Sequence, residues 1–376
     1  MNQHSTAVNE HSTAVNEHST AVNEHSTAVN MHSTIKYVGV DLHKKLIVIC
    51  VVDQDRHVVT TGRFSNSDTA RLTAWLQALG EFGLVLEATA SYEWFFKLVE
   101  PLARRIVLAH PRKLRIIAES TRKSDKVDAR LLAEFLALDM IPPAHRPTPR
   151  QRAHRKLVRR RYYVRNRMTS LKNRLRHLAA EYNADRADLF TAEGLRYLRK
   201  LPLESVDRFL VKRLLRELKL YREELKTINQ ELAAFARQAP PEEARQRKLL
   251  DSIPSVGPVT REVFLAEVAG AERFNSAKKL TSYVGLAPGQ RESAGKRRDL
   301  GITHTGSPIL RWTLHQAAWQ LVRRDPHWCA VFEKLAARRG KKKAITAIAR
   351  RLLCLMLAVI RGDKPYQAKP PAVKAA

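Results

Sequence analysis

Cysteine, aromatic side chains and acidic charge are all scarce in this chain. Three cysteines in 376 residues, Cys50, Cys329 and Cys354, are too few and too far apart for a disulfide framework or a zinc site, and they fit a reducing, cytoplasmic compartment. No apolar run approaches the ~20 residues of a membrane-spanning helix, and the most apolar one, 352–360, falls far short, so no membrane partner is expected. The N-terminus is polar and repetitive and carries no secretory signal. Acids number 37 against 67 lysines and arginines, which leaves a net charge of +30. That imbalance sets the chain apart from ordinary cytosolic enzymes and points to a polyanion, nucleic acid, as partner.

The first 34 residues hold the heptapeptide HSTAVNE, with His4, His11, His18 and His25 in strict period. Each unit offers one Ala-Val pair, too little apolar surface for a coiled coil, so the segment reads as disordered. From residue 35 the texture becomes β-rich: IKYVGVDL, KLIVICVVD and RHVVTTGRF predict a meander of antiparallel strands. A helix over 68–79, a strand over 83–87, a helix over 91–102 and a strand over 105–109 follow. This order describes an α/β domain with a mixed sheet over 35–143.

Two acids interrupt its apolar strands. Asp41 follows Val38 and Val40, and Glu87 follows Val85 and Leu86; a carboxylate there is costly unless paired or metal-bound. A third and fourth stand in KSDKVDARLLAEF, residues 123–135, where Leu131, Leu132, Phe135 and Leu136 recur at helical spacing and Ser124 is placed to cap the helix. Asp125 and Asp128 then share a face of its first turn. One carboxylate satisfies the free amides of a helix start, so the second suggests a cation. An acid on strand one, an acid on strand four and two on a later helix form a ribonuclease-H-type arrangement. Four hard carboxylates suit Mg²⁺ and phosphodiester chemistry.

Prolines at 142, 143, 147 and 149 close this domain. Residues 150–176 then carry twelve lysines or arginines and no acid, on a helix with an apolar seam at Val164, Met168, Leu171, Leu175, Leu178 and Tyr182. So many like charges without compensation predict phosphate contacts by Arg155, Lys156, Arg159, Arg160, Arg161, Arg165 and Arg167. A second seam, Val211, Leu214, Leu218, Tyr221, Leu225, Ile228, Leu232 and Phe235, keeps the three-four alternation of a coiled coil through 150–237, within one chain or between chains.

A last, mainly helical domain spans 244–366, before a tail over 367–376. Its IPSVGPVT resembles a helix-hairpin-helix, in which a tight turn at Gly257 aims backbone amides at a phosphate. Glycines break up 283–311 too closely for a long helix, and Arg291, Lys296, Arg297 and Arg298 surround Ser293, sterically open beside Ala294 and Gly295. Ser307, before Pro308, fits a helix N-cap.

In this order, YVGVD, LEATASYE, KSDKVDARLLAEF, IPSVGPVT and YVGLAPGQRESAGKRR resemble the DEDD transposases of insertion sequences, whose members act as serine recombinases guided by a bridge RNA. The resemblance covers nearly everything from Ile35 to about Tyr366. It implies a RuvC-like, Holliday-junction-resolvase fold for the first domain, metal-binding acids at Asp41, Glu87, Asp125 and Asp128, and a nucleophile at Ser293. It also implies a guide RNA and assembly, as a dimer or tetramer, on the DNA of the element's ends and target. Two other functions stay open: a metal-dependent nuclease or junction resolvase that uses water, and a nucleic-acid scaffold with a decayed site. Four intact acids speak against decay.

Overall fold

The computed structural model describes residues 35–89, 91–117, 125–293 and 296–367. The heptapeptide repeat, Ser124 and all but the first residue of the C-terminal tail lie outside them; for Asp125, Arg291, Ser293, Lys296, Arg297 and Arg298 the backbone alone is described. The chain divides into two compact units after Arg146.

The first unit is built on a five-stranded sheet. Strands β1 (Lys36–Leu42), β2 (Leu46–Val52) and β3 (Val58–Ser65) form the antiparallel meander. Helix α1 (Thr69–Gln77), whose Asp68 side chain accepts from the Arg71 amide, leads to β4 (Phe82–Glu87), and α2 (Tyr92–Val99) leads to β5 (Arg105–Ala109). Both later strands run parallel to β1, giving the order β3-β2-β1-β4-β5. Helices α3 (Pro111–Ile117) and α4 (Asp125–Ala137) complete the unit.

Alternation divides the sheet's two faces between different helices. Val38, Val40, Ile47, Ile49, Leu84 and Leu86 meet Leu72 and Leu76 of α1 and Phe95, Phe96 and Val99 of α2. On the other face, Val48, Cys50 and Val52 meet Ala129 and Ala133 of α4, while Val85 and Val107 meet its Leu132 and Leu136. The result is a three-layer sandwich, with the sheet apolar on both sides.

The second unit is helical apart from one hairpin. Its long helices are α5 (Pro149–Glu181), with a capping box between Thr148 and Gln151, and α7 (Ser205–Arg237). Short α6 (Ala192–Lys200) lies between them in sequence. Arg150 stacks on Phe235, Arg160 binds Glu224, and the Tyr182 hydroxyl donates to Asp207. Early residues of one helix thus meet late residues of the other: the two seams close on each other, antiparallel, within a single chain. Then come α8 (Pro241–Asp251), α9 (Pro258–Val268), α10 (Ala277–Val284), the strands β6 (Pro288–Ser293) and β7 (Lys296–Ile302), α11 (Pro308–Arg324), α12 (Pro326–Arg339) and α13 (Lys341–Gly362). The apolar run 352–360 is core: Leu352, Leu353 and Met356 of α13 are fully buried. Among the described residues, no helix is long and apolar enough to cross a membrane.

A buried ionic cluster joins α5, α8 and α9. Arg247 holds Glu262 through two bonds of 3.0 Å, Arg261 adds a third at 2.9 Å, and His154 Nε2 lies 2.9 Å from the same carboxylate. Burial opposes ionisation of Glu262, yet His154 and Arg247 outweigh it and bring its pKa down to about 2 from 4.5. A depressed carboxylate pKa stabilises the fold above the unfolded value and loses that stabilisation as pH falls. Urea midpoints should therefore fall between pH 4.5 and about 2, and Glu262→Gln should lose about 3 kcal/mol at neutral pH and flatten that acid limb. A mutant that keeps both the wild-type midpoint and its acid limb would contradict this account.

Candidate catalytic site

The sheet register sets the first two acids side by side. Val40 pairs with Leu86 across the parallel β1–β4 ladder, so the next residues, Asp41 and Glu87, occupy neighbouring positions at the C-terminal ends of adjacent strands, about 5 Å apart along the ladder. Asp41 also pairs with Val48 and Glu87 with Ala109, which puts both on the face covered by α4.

The direction of α4 brings the second pair to the same end. Its backbone crosses β1 so closely that a Cβ on Gly39 would lie 2.0 Å from the Ala129 carbonyl oxygen, while Leu136 reaches Gly83 near the start of β4. Helix and strands therefore run in opposite directions, and the first turn of α4, with Asp125 and half-buried Asp128, points toward the strand ends that carry Asp41 and Glu87. The close crossing works because small residues, Ala129 and Ala133, face a strand glycine.

The donor set suits a hard divalent cation: carboxylates from two strands and a helix, of which Asp41, Glu87 and Asp128 are half-buried. The second acid of the LEATASYE stretch, Glu93, is committed elsewhere, in an ion pair of 2.9 Å with Arg146. Sequence reasoning missed His43, whose Nε2 lies 2.9 Å from Asp41 Oδ2; its position two residues beyond the acid was the available signal. Asp53, Asp55 and His57 also come together. They lie on the β2–β3 turn, at the opposite end of the strands from Asp41, roughly 16 Å away, and Asp53 Oδ1 there accepts the His57 amide at 2.8 Å.

Ser293 ends a strand, in the stretch whose glycines rule out a long helix. β6 and β7 pair antiparallel, with Ser293 opposite Lys296, Glu292 opposite Arg297 and Arg291 opposite Arg298. Ser307 is the N-cap of α11, its hydroxyl accepting from the Leu310 amide. The expected tight turn at Gly257 is corrected. Gly257 is extended, with φ −78° and ψ 176°, as a residue before proline prefers, and the left-handed residue of the α8–α9 turn is Ser255, with φ 69°.

The idea that α5 carries uncompensated charge is also corrected. Arg150 binds Glu243, Arg159 binds Glu267 through two bonds of 2.8 and 3.0 Å, Arg160 binds Glu224, and Arg161 donates to Asn229. Arg155 donates to the carbonyls of Ala266 and Glu267. Among the described residues, exposed Lys156, Arg165 and Arg174 make no ion pair, and exposed Arg167 donates to Tyr163. Lys156, Arg167 and Arg174 share one stripe of the helix. Alanine at these three should flatten the dependence of log K on log salt for DNA by roughly two to three units; an unchanged slope would leave the stripe facing solvent.

An α/β unit with acids gathered at its strand ends, followed by a strongly basic helical unit, is the build of a protein that works on nucleic acid. Comparison with known proteins narrows this. A DEDD-type IS110 transposase model matches residues 38–184, and a model of the IS116/IS110/IS902 transposase family matches 247–333. The chain is 26% identical over 349 residues to the transposase for insertion sequence element IS1111A of Coxiella burnetii, covering 89% of this chain and 92% of that one. It is 24% identical over 350 residues to the pilin gene-inverting protein of Moraxella bovis, 89% and 98% covered. A putative transposase of Sinorhizobium fredii is 30% identical over 257 residues, 61% and 64% covered. The chain belongs to the IS110 family of DEDD insertion-sequence transposases.

Proposed function

We propose that this transposase cuts and rejoins DNA strands through the hydroxyl of Ser293, with Asp41, Glu87, Asp125 and Asp128 as the site of Mg²⁺, and that a guide RNA selects the DNA. The observation that carries the reading is the convergence of the four acids at one end of the β1–β4 ladder. The strand order β3-β2-β1-β4-β5 supports a ribonuclease-H-like, RuvC-like fold for the first unit, and the seams of α5 and α7 support coiled-coil packing in the second.

In the first step the bond from Ser293 Oγ to phosphorus forms as the bond from phosphorus to the 3′ oxygen breaks. The serine proton is passed on and the 3′ oxygen leaves as a hydroxyl; attack by a 3′-hydroxyl on the phosphoserine reverses the step and rejoins a strand. Mg²⁺ bound at the acids would supply charge stabilisation to a phosphate undergoing transfer. The acids would hold that site, and the hairpin register, which pairs Ser293 with Lys296 and Arg291 with Arg298 on one strand face and Arg297 with Glu292 on the other, supports basic residues near a phosphate at Ser293.

Similarity to a protein named for inverting a gene favours this reading over a water-using nuclease, because inversion needs strands to be rejoined. The proposal further includes assembly of several copies on two duplexes in the cytoplasm. Its test is a DNA-linked species that survives denaturation and maps to a peptide containing Ser293. Cleaved DNA without any adduct would favour the nuclease.

A further inference from the structure

Helices α5, α7, α9 and α11 leave between them a cavity of about 510 Å³, within the size range of small-ligand sites. Its lining is divided. Val158, Leu232, Val263 and Ile309 give it apolar walls, whereas Arg161 and Arg165, one helical turn apart, give it positive charge. Tyr162 and Trp312 also line it and meet edge to face at 5.7 Å. Trp312 is 46% exposed, unusual for a tryptophan that has a core beside it.

Arg161 and Arg165 have no ion pair among the described residues, whereas Arg261, also in the lining, pairs with Asp251 and Glu262. Arg161 is half-buried and its hydrogen bond goes to the neutral Asn229 Oδ1, at 2.8 Å. Burial and the neighbouring Arg165 both push its pKa down, the mark of a cation short of an anion. The acid in the lining, Glu262, is already held by Arg247 and Arg261. An inorganic anion would meet the arginines and leave the aromatic wall wet. An apolar ligand would do the reverse.

We propose that this cavity receives one unstacked nucleotide of a single-stranded segment, its base against Trp312 and Tyr162 and its phosphate at Arg161 and Arg165. Aromatic stacking with arginines on the backbone is the usual means of holding single strands. The inference rests on the family reading, that the chain handles nucleic acid, and deepens it by naming where an unpaired residue is held.

Binding of labelled oligothymidylate, oligouridylate and a base-free oligomer of tetrahydrofuran spacers to the full chain tests it. The wild-type protein should prefer a base-bearing strand to the spacer strand about ten-fold, as one stacked base allows. Trp312→Ala should abolish that preference with little effect on the spacer strand, and Trp312→Phe should restore part of it. Arg161→Gln should weaken both strands alike and lower the salt slope by about one. Tighter binding of oligouridylate identifies RNA as the source of the nucleotide, and tighter binding of oligothymidylate identifies DNA. Equal losses on both strands in Trp312→Ala, or a preference that survives it, would overturn the assignment. Wild type that binds duplex DNA without base preference refutes the cavity alone; failure to bind any nucleic acid refutes the family reading as well.

Discussion

Alanine at Ser293 should leave DNA bound and uncut. If the hydroxyl attacks phosphorus, its removal takes away the nucleophile and leaves the carboxylate site in place, so strand cleavage should fall by roughly 10⁴-fold or more while affinity changes little. Asp41→Asn should also stop cleavage, since both a serine and a water mechanism need the acids. Only the serine mechanism requires an adduct from the wild-type protein and none from Ser293→Ala. Ser307→Ala is the control: it removes the N-cap bond to the Leu310 amide, costs about 1 kcal/mol of stability, and should still cleave. Free DNA ends released by Ser293→Ala at the wild-type rate would end the serine proposal.

Gly39→Ala should be nearly as damaging without touching a reacting group. The added methyl would sit 2.0 Å from the Ala129 oxygen and 2.5 Å from the Ala133 nitrogen. Both are backbone atoms of a helix, which cannot swing aside as a side chain does. Helix α4 must lift from the sheet, with a cost of about 3 kcal/mol or more, and the carboxylates at its head lose their register with those on β1 and β4. The urea midpoint of the first unit should drop, and cleavage should fall even under conditions where the variant is folded. An unchanged midpoint would mean that α4 does not cross β1 at Gly39.

The strands of the first unit and the positions of the four acids are legible in the sequence because the signals are local: Asp41 and Glu87 each interrupt an apolar strand, and Asp125 and Asp128 are two acids in one helical turn. Features set by distant partners are not legible. The acids that answer the basic helix, Glu224, Glu243 and Glu267, belong to α7, α8 and α9, and no window along 150–176 contains them. The hairpin bearing Ser293 is hidden because PGQRES and KRRDLGI hold one β-branched residue between them, Ile302, and none of the aromatics that announce strands. Gly39 looks like any strand glycine until the helix 90 residues later, at Ala129, is laid over it.

The paired helices α5 and α7 have 33 residues each, an arm of about 50 Å at 1.5 Å per residue. Their seams repeat every seven residues, so excising one repeat from both helices together would shorten the arm by about 10 Å and keep its faces aligned. An unmatched change of a single residue would instead turn everything beyond it by about 100°, carrying Arg167 and Arg174 out of line with Lys156. Reach and facing are therefore geared together in this arm, and its length can change only in discrete steps.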